Sequence, residues 1–368
     1  MDSFFTKKRS ASSENTVSKK PRRRVSGDPM RIICWNVNGL RSRLQVNEQA
    51  ISSFLCDKSP DLFFLSEVSL IGGAGKQQNL STMDKKTREE SELLNHALKS
   101  GCFANYETFL SLHPTKRYSG TAMFIKTGSP APINIWYHLP DAETLKGAST
   151  TCHHHPEGRI IVAEFDTFYV LHTYSPNNGS DLKGFHRRIA WDSLVTNWLA
   201  LMSTNPKHVV YLGDLNCAPC KDRDVSHPEW FAKQNSKPGI DLNDRGQPGV
   251  TKNERIRFEH MVQEGNLVDI YREFENQGKF EERFQKYDQN ITAPRFTWRG
   301  HPGKAGNPMA GKFFMKGMRI DHVLVSKGLM NNVEDIEICG QGKGSNDPSF
   351  MGSDHCPLLL SLRSNSKE

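Results

Sequence analysis

The 368-residue sequence predicts a single α/β domain preceded by a basic tail. Short β-branched and aromatic runs recur from residue 31 to residue 362, amphipathic stretches separate several of them, and apolar residues are scarce before Met30. Strands that alternate with helices are typical of α/β domains. A chain of this length can bury a sizeable core, as one large domain or as two small ones.

The tail, residues 1–29, carries eight basic and three acidic residues, so it holds +5 of the net charge of +7. We expect it to be disordered, because it has too few apolar groups to form a core. The basic run at residues 19–24 resembles a nuclear import signal; the alternative is a solvated tail that binds nucleic acid nonspecifically. Phe4 and Phe5 resemble part of a sliding-clamp binding motif, without its usual glutamine.

From residue 30 onward the apolar patterns predict strands and helices in alternation. The predicted strands are 31–35, 61–65, 121–126, 159–165, 168–173, 208–212, 319–325 and 356–362, and residues 267–270 form a further short run. The predicted helices are 47–56, 89–99, 186–203 and 254–264. Residues 69–100 read as an insertion and residues 299–317 as a basic, Gly- and Pro-rich loop. No apolar run approaches the ~18 residues that span a bilayer, so we expect no membrane partner.

The eight cysteines are scattered, and no spacing between them indicates a disulfide framework. The pair Cys217 and Cys220 forms a lone C-x-x-C without a second pair, which argues against a zinc site. We therefore expect reduced thiols. Three consecutive histidines, 153–155, cannot share one face of a strand or helix, so they favour a surface loop over a metal site.

Polar side chains follow several of the predicted strands directly. Asp214 and Asn216 are two residues apart, so strand periodicity places them on one face. Taken alone, this segment is explained equally well by an Asx turn that ends the strand. The same kind of ending recurs elsewhere, at Asn36, Asn38, Glu67, Tyr174, Asn177, Asp321, Asp354 and His355. If these ends meet, their oxygen ligands favour Mg²⁺ or Mn²⁺, a cation suited to phosphate-ester hydrolysis.

Nine short motifs in order resemble those of the exonuclease III family of apurinic/apyrimidinic endonucleases. They are residues 35–40, 66–67, 118–120, 157–159, 174–177, 213–216, 296–298, 319–321 and 352–355, and the resemblance covers about residues 30–363. It implies a four-layer α/β sandwich, two mixed β-sheets face to face with helices outside. It also implies base-excision repair: hydrolysis 5′ to an abasic site, leaving a 3′-hydroxyl and a 5′-deoxyribose phosphate, with 3′-exonuclease or 3′-end side activity.

The resemblance assigns roles to the strand-end residues. It implies a metal site at Glu67, with the other ligands drawn from Asn36, Asp214, Asn216, Asp354 and His355. It implies that Asp214 orients or deprotonates the attacking water. It implies that His355, hydrogen-bonded to Asp321, contacts the scissile phosphate. The remaining implied contacts to phosphate or leaving oxygen are Asn216, Tyr174 and Asn177. Candidates for the apolar pocket of the flipped sugar are Phe296, Trp298 and Ile320.

The sequence also departs from the family pattern. Ser69 stands where the family has a lysine near the metal; Lys76 in the adjacent insertion is one candidate substitute, and an ordinary solvated loop residue is the alternative. Rival functions are another phosphodiesterase of the superfamily, acting on inositol phosphates, sphingomyelin or protein–DNA adducts, and an inactive DNA-docking module. For the repair enzyme we expect a monomer in the nucleus that acts on double-stranded DNA with abasic sites.

Overall fold

The computed structural model describes residues 24–72, 74–75, 85–147, 154–235, 240–281, 295–300, 311–314, 316–340 and 350–363. The strands in these ranges are β1 (Arg31–Asn36), β2 (Leu62–Ser66), β3 (Ala74–Gly75), β4 (Tyr106–Ser111), β5 (Thr121–Lys126), β6 (Asn134–Trp136), β7 (Ile160–Glu164), β8 (Phe168–Tyr174), β9 (His208–Asp214), β10 (Leu267–Asp269), β11 (Asp321–Ser326), β12 (Val333–Ile338) and β13 (Leu358–Leu362). The α-helices are α1 (Leu40–Lys58), α2 (Lys85–Leu98), α3 (Ala142–Leu145), α4 (Leu182–Ser203), α5 (Pro228–Ala232), α6 (Lys252–Glu264) and α7 (Ile270–Asn276).

The described strands form two mixed sheets. One has the order β12-β13-β1-β2-β5-β4-β3, and the other has the order β10-β11-β9-β8-β7-β6. Each sheet contains one parallel pair, β1 with β2 and β8 with β9, among antiparallel neighbours. The carboxyl ends of a parallel pair lie at the same edge of a sheet, so each sheet offers one edge where two strand-end loops sit side by side.

Four layers result because the central strands are buried on both faces. Alternate residues of β1 point to opposite sides: Ile32 belongs to the core between the two sheets, and Ile33 to the core beneath α1 and α2. On the other sheet, Val170 faces the inter-sheet core, while Leu171 packs with residues of α4 and α6. The expected four-layer α/β sandwich of two mixed sheets flanked by helices is confirmed.

The end of the predicted tail contacts the domain. The Arg24 guanidinium pairs with the Asp166 carboxylate at 2.5 Å, and the Thr167 hydroxyl donates to Asp28 at 2.8 Å. Residues 1–23, which include Phe4, Phe5 and most of the basic run, lie outside the described residues. Within the described ranges, no helix combines the length and apolar character needed to cross a membrane.

The expectation of reduced thiols is wrong for two cysteines. Cys56 on α1 and Cys102, just after α2, form a disulfide, with Cα atoms 5.7 Å apart at a sequence separation of 46. The spacing gave no hint of this pairing, because the two cysteines meet only through the packing of α1 against the segment that follows α2. Cys217 and Cys220 form no disulfide.

Candidate active site

The polar strand ends converge at one edge of the sandwich. In the parallel pairs, Asn36 lies beside Ser66, which precedes Glu67, and Tyr174 lies beside Asp214. Asp321 begins β11 directly opposite Asp214 in the antiparallel register. The two sheets meet here, since the Asn36 Nδ2 group donates to Asp214 Oδ2 across the gap at 2.9 Å.

Asn36 holds the carboxylates by hydrogen bonds. Its Nδ2 group donates to Glu67 Oε2 at 3.1 Å as well as to Asp214, while its Oδ1 accepts from the Asn38 backbone N–H at 3.0 Å. Asn36 therefore orients two carboxylates through its N–H₂ group. Its Oδ1 keeps a second lone pair, so its assignment as a metal ligand stays a prediction.

Three site loops turn through left-handed backbone conformations at residues other than glycine. The φ values are 47° at Asn38, 54° at Glu67 and 48° at Asn216. The third turn is an Asx turn, in which Asp214 Oδ1 accepts the Asn216 N–H at 2.9 Å. The Asx turn and the site are therefore compatible, since Asp214 Oδ2 still faces Asn36. Such conformations cost about 1–3 kcal/mol each and gather at functional sites.

His355 and Asp321 form a buried pair, with Nδ1 and Oδ2 2.7 Å apart. Burial disfavours a charged imidazole, yet Asp321 and the nearby acids raise the pKa of His355 to about 10. Ligand atoms of Asp214, Asp321 and His355 lie within 4.8 Å of one another, a spacing that a metal site would have. A protonated imidazole would donate to a phosphoryl oxygen and a neutral one could ligate a cation, so both predicted roles of His355 stay predictions.

Asp354 accepts two side-chain hydrogen bonds. Asn38 Nδ2 donates to its Oδ1 at 2.7 Å, and Trp298 Nε1 donates to its Oδ2 at 2.9 Å. Neither hydrogen bond was predicted, although the sequence had already placed Asn38 among the polar strand ends and Trp298 among the site candidates. Asp354 is also close enough to Glu67 to raise the pKa of that carboxyl.

The hydrogen-bond donors at the site do not fully offset the cost of burying its carboxylates. Burial, followed by the Asp321 charge, raises the pKa of Asp214 to about 7. Burial also raises the pKa of Glu67, although Asn36 and the Tyr174 hydroxyl both donate to it, the latter at 3.2 Å. Clustered carboxylates that are hard to ionise together fit a site for a hard divalent cation, which would supply the missing charge. Candidate donors for such an ion are the clustered Asp214, Asp321 and His355, together with the neighbouring Glu67 and Asp354.

The remaining predicted residues lie in different environments. Asn216 Nδ2 donates to the Ser175 carbonyl at 2.9 Å, beside Tyr174. Asn177 is exposed, and its Oδ1 accepts from the Gly179 N–H at 2.8 Å within its own turn. Trp298 and Ile320 do share an apolar cluster at the site, together with Met318.

Phe296 is 4% exposed and lies outside that cluster, packed so tightly that a Cβ on Gly317 would come within 2.4 Å of its ring. Phe296 and Trp298 flank Thr297 in a segment outside the named strands, and the Trp298 indole N–H donates to Asp354. The role of Phe296 in the sugar pocket stays a prediction. Lys76 lies outside the described residues.

Two buried arginines support the site and were not predicted as parts of it. Arg188 on α4 donates to the backbone carbonyls of Pro176, Leu215 and Asn216, so it ties two site loops together. The Arg159 guanidinium lies 4.7 Å from the Tyr174 ring centroid and donates to the Tyr174 carbonyl at 2.9 Å. For Arg188 the sequence offers no signal beyond an arginine on an otherwise apolar helix face.

Comparison with known proteins agrees with this geometry. The model of the Endonuclease/Exonuclease/phosphatase family matches residues 33–355. A DNA-(apurinic or apyrimidinic site) endonuclease of Arabidopsis thaliana is 37% identical over 93% of this chain and 87% of its own. One of Plasmodium berghei is 33% identical over 90% of this chain and 63% of its own. The crystal structure of the AP endonuclease LMAP of Leishmania major superposes with a TM-score of 0.61 at 23% identity, covering 94% of this chain and 92% of that one. The chain belongs to the Endonuclease/Exonuclease/phosphatase family.

Proposed function

We propose that the protein is a Mg²⁺- or Mn²⁺-dependent DNA endonuclease of base-excision repair that hydrolyses the phosphodiester 5′ to an abasic site. The observation that carries this proposal is the meeting of Glu67, Asp214 and Asp354 with a protonated His355 at one edge of the sandwich. The similarity to relatives named as apurinic or apyrimidinic site endonucleases, over most of the chain, supports the choice of substrate.

The chain's own residues supply both the base and the charge for the reaction. Asp214, with a pKa of about 7, can accept a proton from the attacking water near neutral pH. The imidazolium of His355 places a positive donor where a phosphoryl oxygen gains charge. A bound divalent cation would neutralise the phosphoryl oxygens and stabilise the leaving oxyanion.

The Tyr174 hydroxyl lies beside these groups and donates to Glu67 Oε2. Burial, followed by the Glu67 charge, raises the pKa of Tyr174 well above its usual value, so the phenol stays protonated and serves as a donor. The half-buried Trp298 and the buried Ile320 offer an apolar surface against which a flipped sugar can rest.

The proposal is tested with one enzyme preparation and a panel of phosphodiesters. We expect incision of a duplex with one abasic site to be fast with Mg²⁺ and to stop in EDTA. An intact duplex, an inositol phosphate, sphingomyelin and a tyrosyl-DNA adduct should react at least about a hundredfold more slowly. A preference for one of the other phosphodiesters would assign the protein to that branch of the family. Turnover of none of them, with abasic duplex still bound, would identify an inactive docking module.

The tail supports a narrower proposal about location and partners. Its basic run at residues 19–24 suits nuclear import, and Phe4 with Phe5 suits a sliding clamp. A fusion of residues 1–29 to a fluorescent protein should accumulate in the nucleus. The Phe4→Ala/Phe5→Ala double variant should lose capture by immobilised clamp, and retained capture would show that these rings are not the contact. We expect a monomer by sedimentation.

A further inference from the structure

Four aromatic rings run from the active site to the surface near α5. Trp298, which donates to Asp354, lies 5.9 Å from Phe313 between ring centroids, and Phe313 lies 5.3 Å from Trp230 in an edge-to-face arrangement. Phe231 is fully buried and closes the cluster beneath Trp230 at 5.0 Å. The ring of Trp230, which is half-buried, is thereby fixed relative to the site.

Two lysines gather over that ring. Lys316 Nζ lies 4.7 Å and Lys312 Nζ 5.6 Å from the Trp230 ring centroid, and Lys316 Nζ also donates to the Lys312 carbonyl at 3.0 Å. An ammonium group over an indole face is held by the ring quadrupole, which lowers its freedom without neutralising it. The ring therefore acts as a support for two positive charges.

These charges have no carboxylate counterpart in the part of the chain that the structure describes. Some lysines elsewhere do have one: Lys58 pairs with Glu337 at 3.0 Å and Lys207 with Glu164 at 2.6 Å. Lys312 and Lys316 form no such ion pair among the described residues. Lys312 is exposed and Lys316 is half-buried, so both can be reached from solvent. Two positioned ammonium groups without an anion are suited to an anion from outside the chain.

We propose that Lys312 and Lys316, supported by Trp230, form a subsite for a backbone phosphate of the DNA that flanks the incised bond. The inference rests on the proposed function. A duplex carries one phosphate per about 3.4 Å of helix axis on each strand, so a strand held at Asp354 brings phosphates past the adjoining surface. The subsite belongs to binding rather than chemistry, because it touches no reacting group.

The first test is the salt dependence of DNA binding. Fluorescence anisotropy with a short intact duplex, in EDTA, gives the slope of log Kd against log salt concentration. Each phosphate contact contributes about 0.9 to that slope, so Lys312→Ala/Lys316→Ala should reduce its magnitude by about 1–2. With abasic duplex and metal, the same variant should raise KM and leave kcat unchanged.

The matched control removes two charges at the other end of the sandwich. Lys327 lies just beyond the end of β11 that is distant from Asp321. Lys99 lies before the segment that leads to Tyr106, and Tyr106 pairs with Lys126 at the far end of β5. Both control lysines are exposed. Lys99→Ala/Lys327→Ala should leave the slope at the parent value, and a loss as large as that of the subsite variant would overturn the proposal.

The second test asks whether Trp230 positions the two lysines. Trp230→Phe keeps an aromatic face and should keep the parent slope, whereas Trp230→Leu should lose at least half of what the double lysine variant loses. A structural role alone would lower the melting temperature or kcat and leave the slope intact. An unchanged slope in the folded double lysine variant contradicts the subsite. Absent incision by the parent enzyme would contradict the proposed function instead, since duplex binding is measured without turnover.

Discussion

At the scale of single residues, the charge on His355 depends on Asp321. The pKa of His355 is about 10, against an ordinary value near 6.5, so the imidazole is fully charged at neutral pH and loses its proton only as pH rises through about 10. Asp321→Asn removes the partner that contributes most to this rise. We expect kcat to fall and the alkaline limb of the pH–rate profile to move to lower pH, because the imidazole now loses its proton earlier.

The measurement is kcat for abasic-duplex incision from pH 6 to pH 10.5. The control Asp335→Asn, on the edge strand β12, should keep the parent profile. An Asp321→Asn enzyme with the parent profile and rate would show that the pair does not set the charge of His355.

The same scale shows what the sequence can and cannot predict about the site. Position at the end or start of a strand identified Glu67, Asp214 and Asp321, because their placement follows from where the strands begin and stop. It could not show that the Asn36 Nδ2 group donates to both Glu67 and Asp214, because those contacts join segments far apart in sequence. The pairing of His355 with Asp321 was expected from the family resemblance, and the structure places Nδ1 and Oδ2 2.7 Å apart.

At the scale of secondary structure, α4 holds two site loops through one buried arginine. Arg188 donates to three backbone carbonyls and pairs with Asp192 at 2.8 Å. Arg188→Met would leave those carbonyls unpaired, so we expect a loss of about 3–5 kcal/mol in the free energy of unfolding. In the variant that still folds, we expect kcat to fall because the loop that carries Asn216 has lost its anchor.

The check is urea denaturation followed by kinetics at a temperature where the variant is folded. The neighbouring Arg187 is exposed, and Arg187→Met should change stability by less than about 0.5 kcal/mol. Equal effects of the two substitutions would contradict the anchoring role of Arg188.

The elements that the sequence missed share a physical cause. The edge strand β12 has acidic residues at three of its six positions, so its sequence does not read as a strand, although Val333, Ile336 and Ile338 are buried. The short helix α7 begins at Ile270, the last residue of the short run 267–270, because the Asp269 side chain caps it by accepting the Arg272 N–H at 3.3 Å. Central strands were predicted because burial on both faces makes them apolar throughout.

At the scale of the whole molecule, the basic tail and the folded domain should be separable. Residues 24–28 contact the domain at Asp166 and Thr167, and the active-site contacts described above all join residues from Asn36 onward. Removing residues 1–23 should therefore leave the melting temperature and turnover on a short abasic duplex at parent values, while nuclear accumulation is lost. Loss of turnover together with import would show that the tail takes part in catalysis.

The most direct test of the site measures abasic-duplex incision against Mg²⁺ concentration for Glu67→Ala and Asp214→Ala. In the proposed mechanism Glu67 binds the cation, so the activity that Glu67→Ala loses should be partly restored as the Mg²⁺ concentration is raised. Asp214 also takes the proton of the attacking water, so added Mg²⁺ should not restore that variant. We predict a rate for Asp214→Ala that stays at least about a hundredfold below the parent at every concentration. Equal and full recovery of both variants would contradict the assignment of Asp214 as the base.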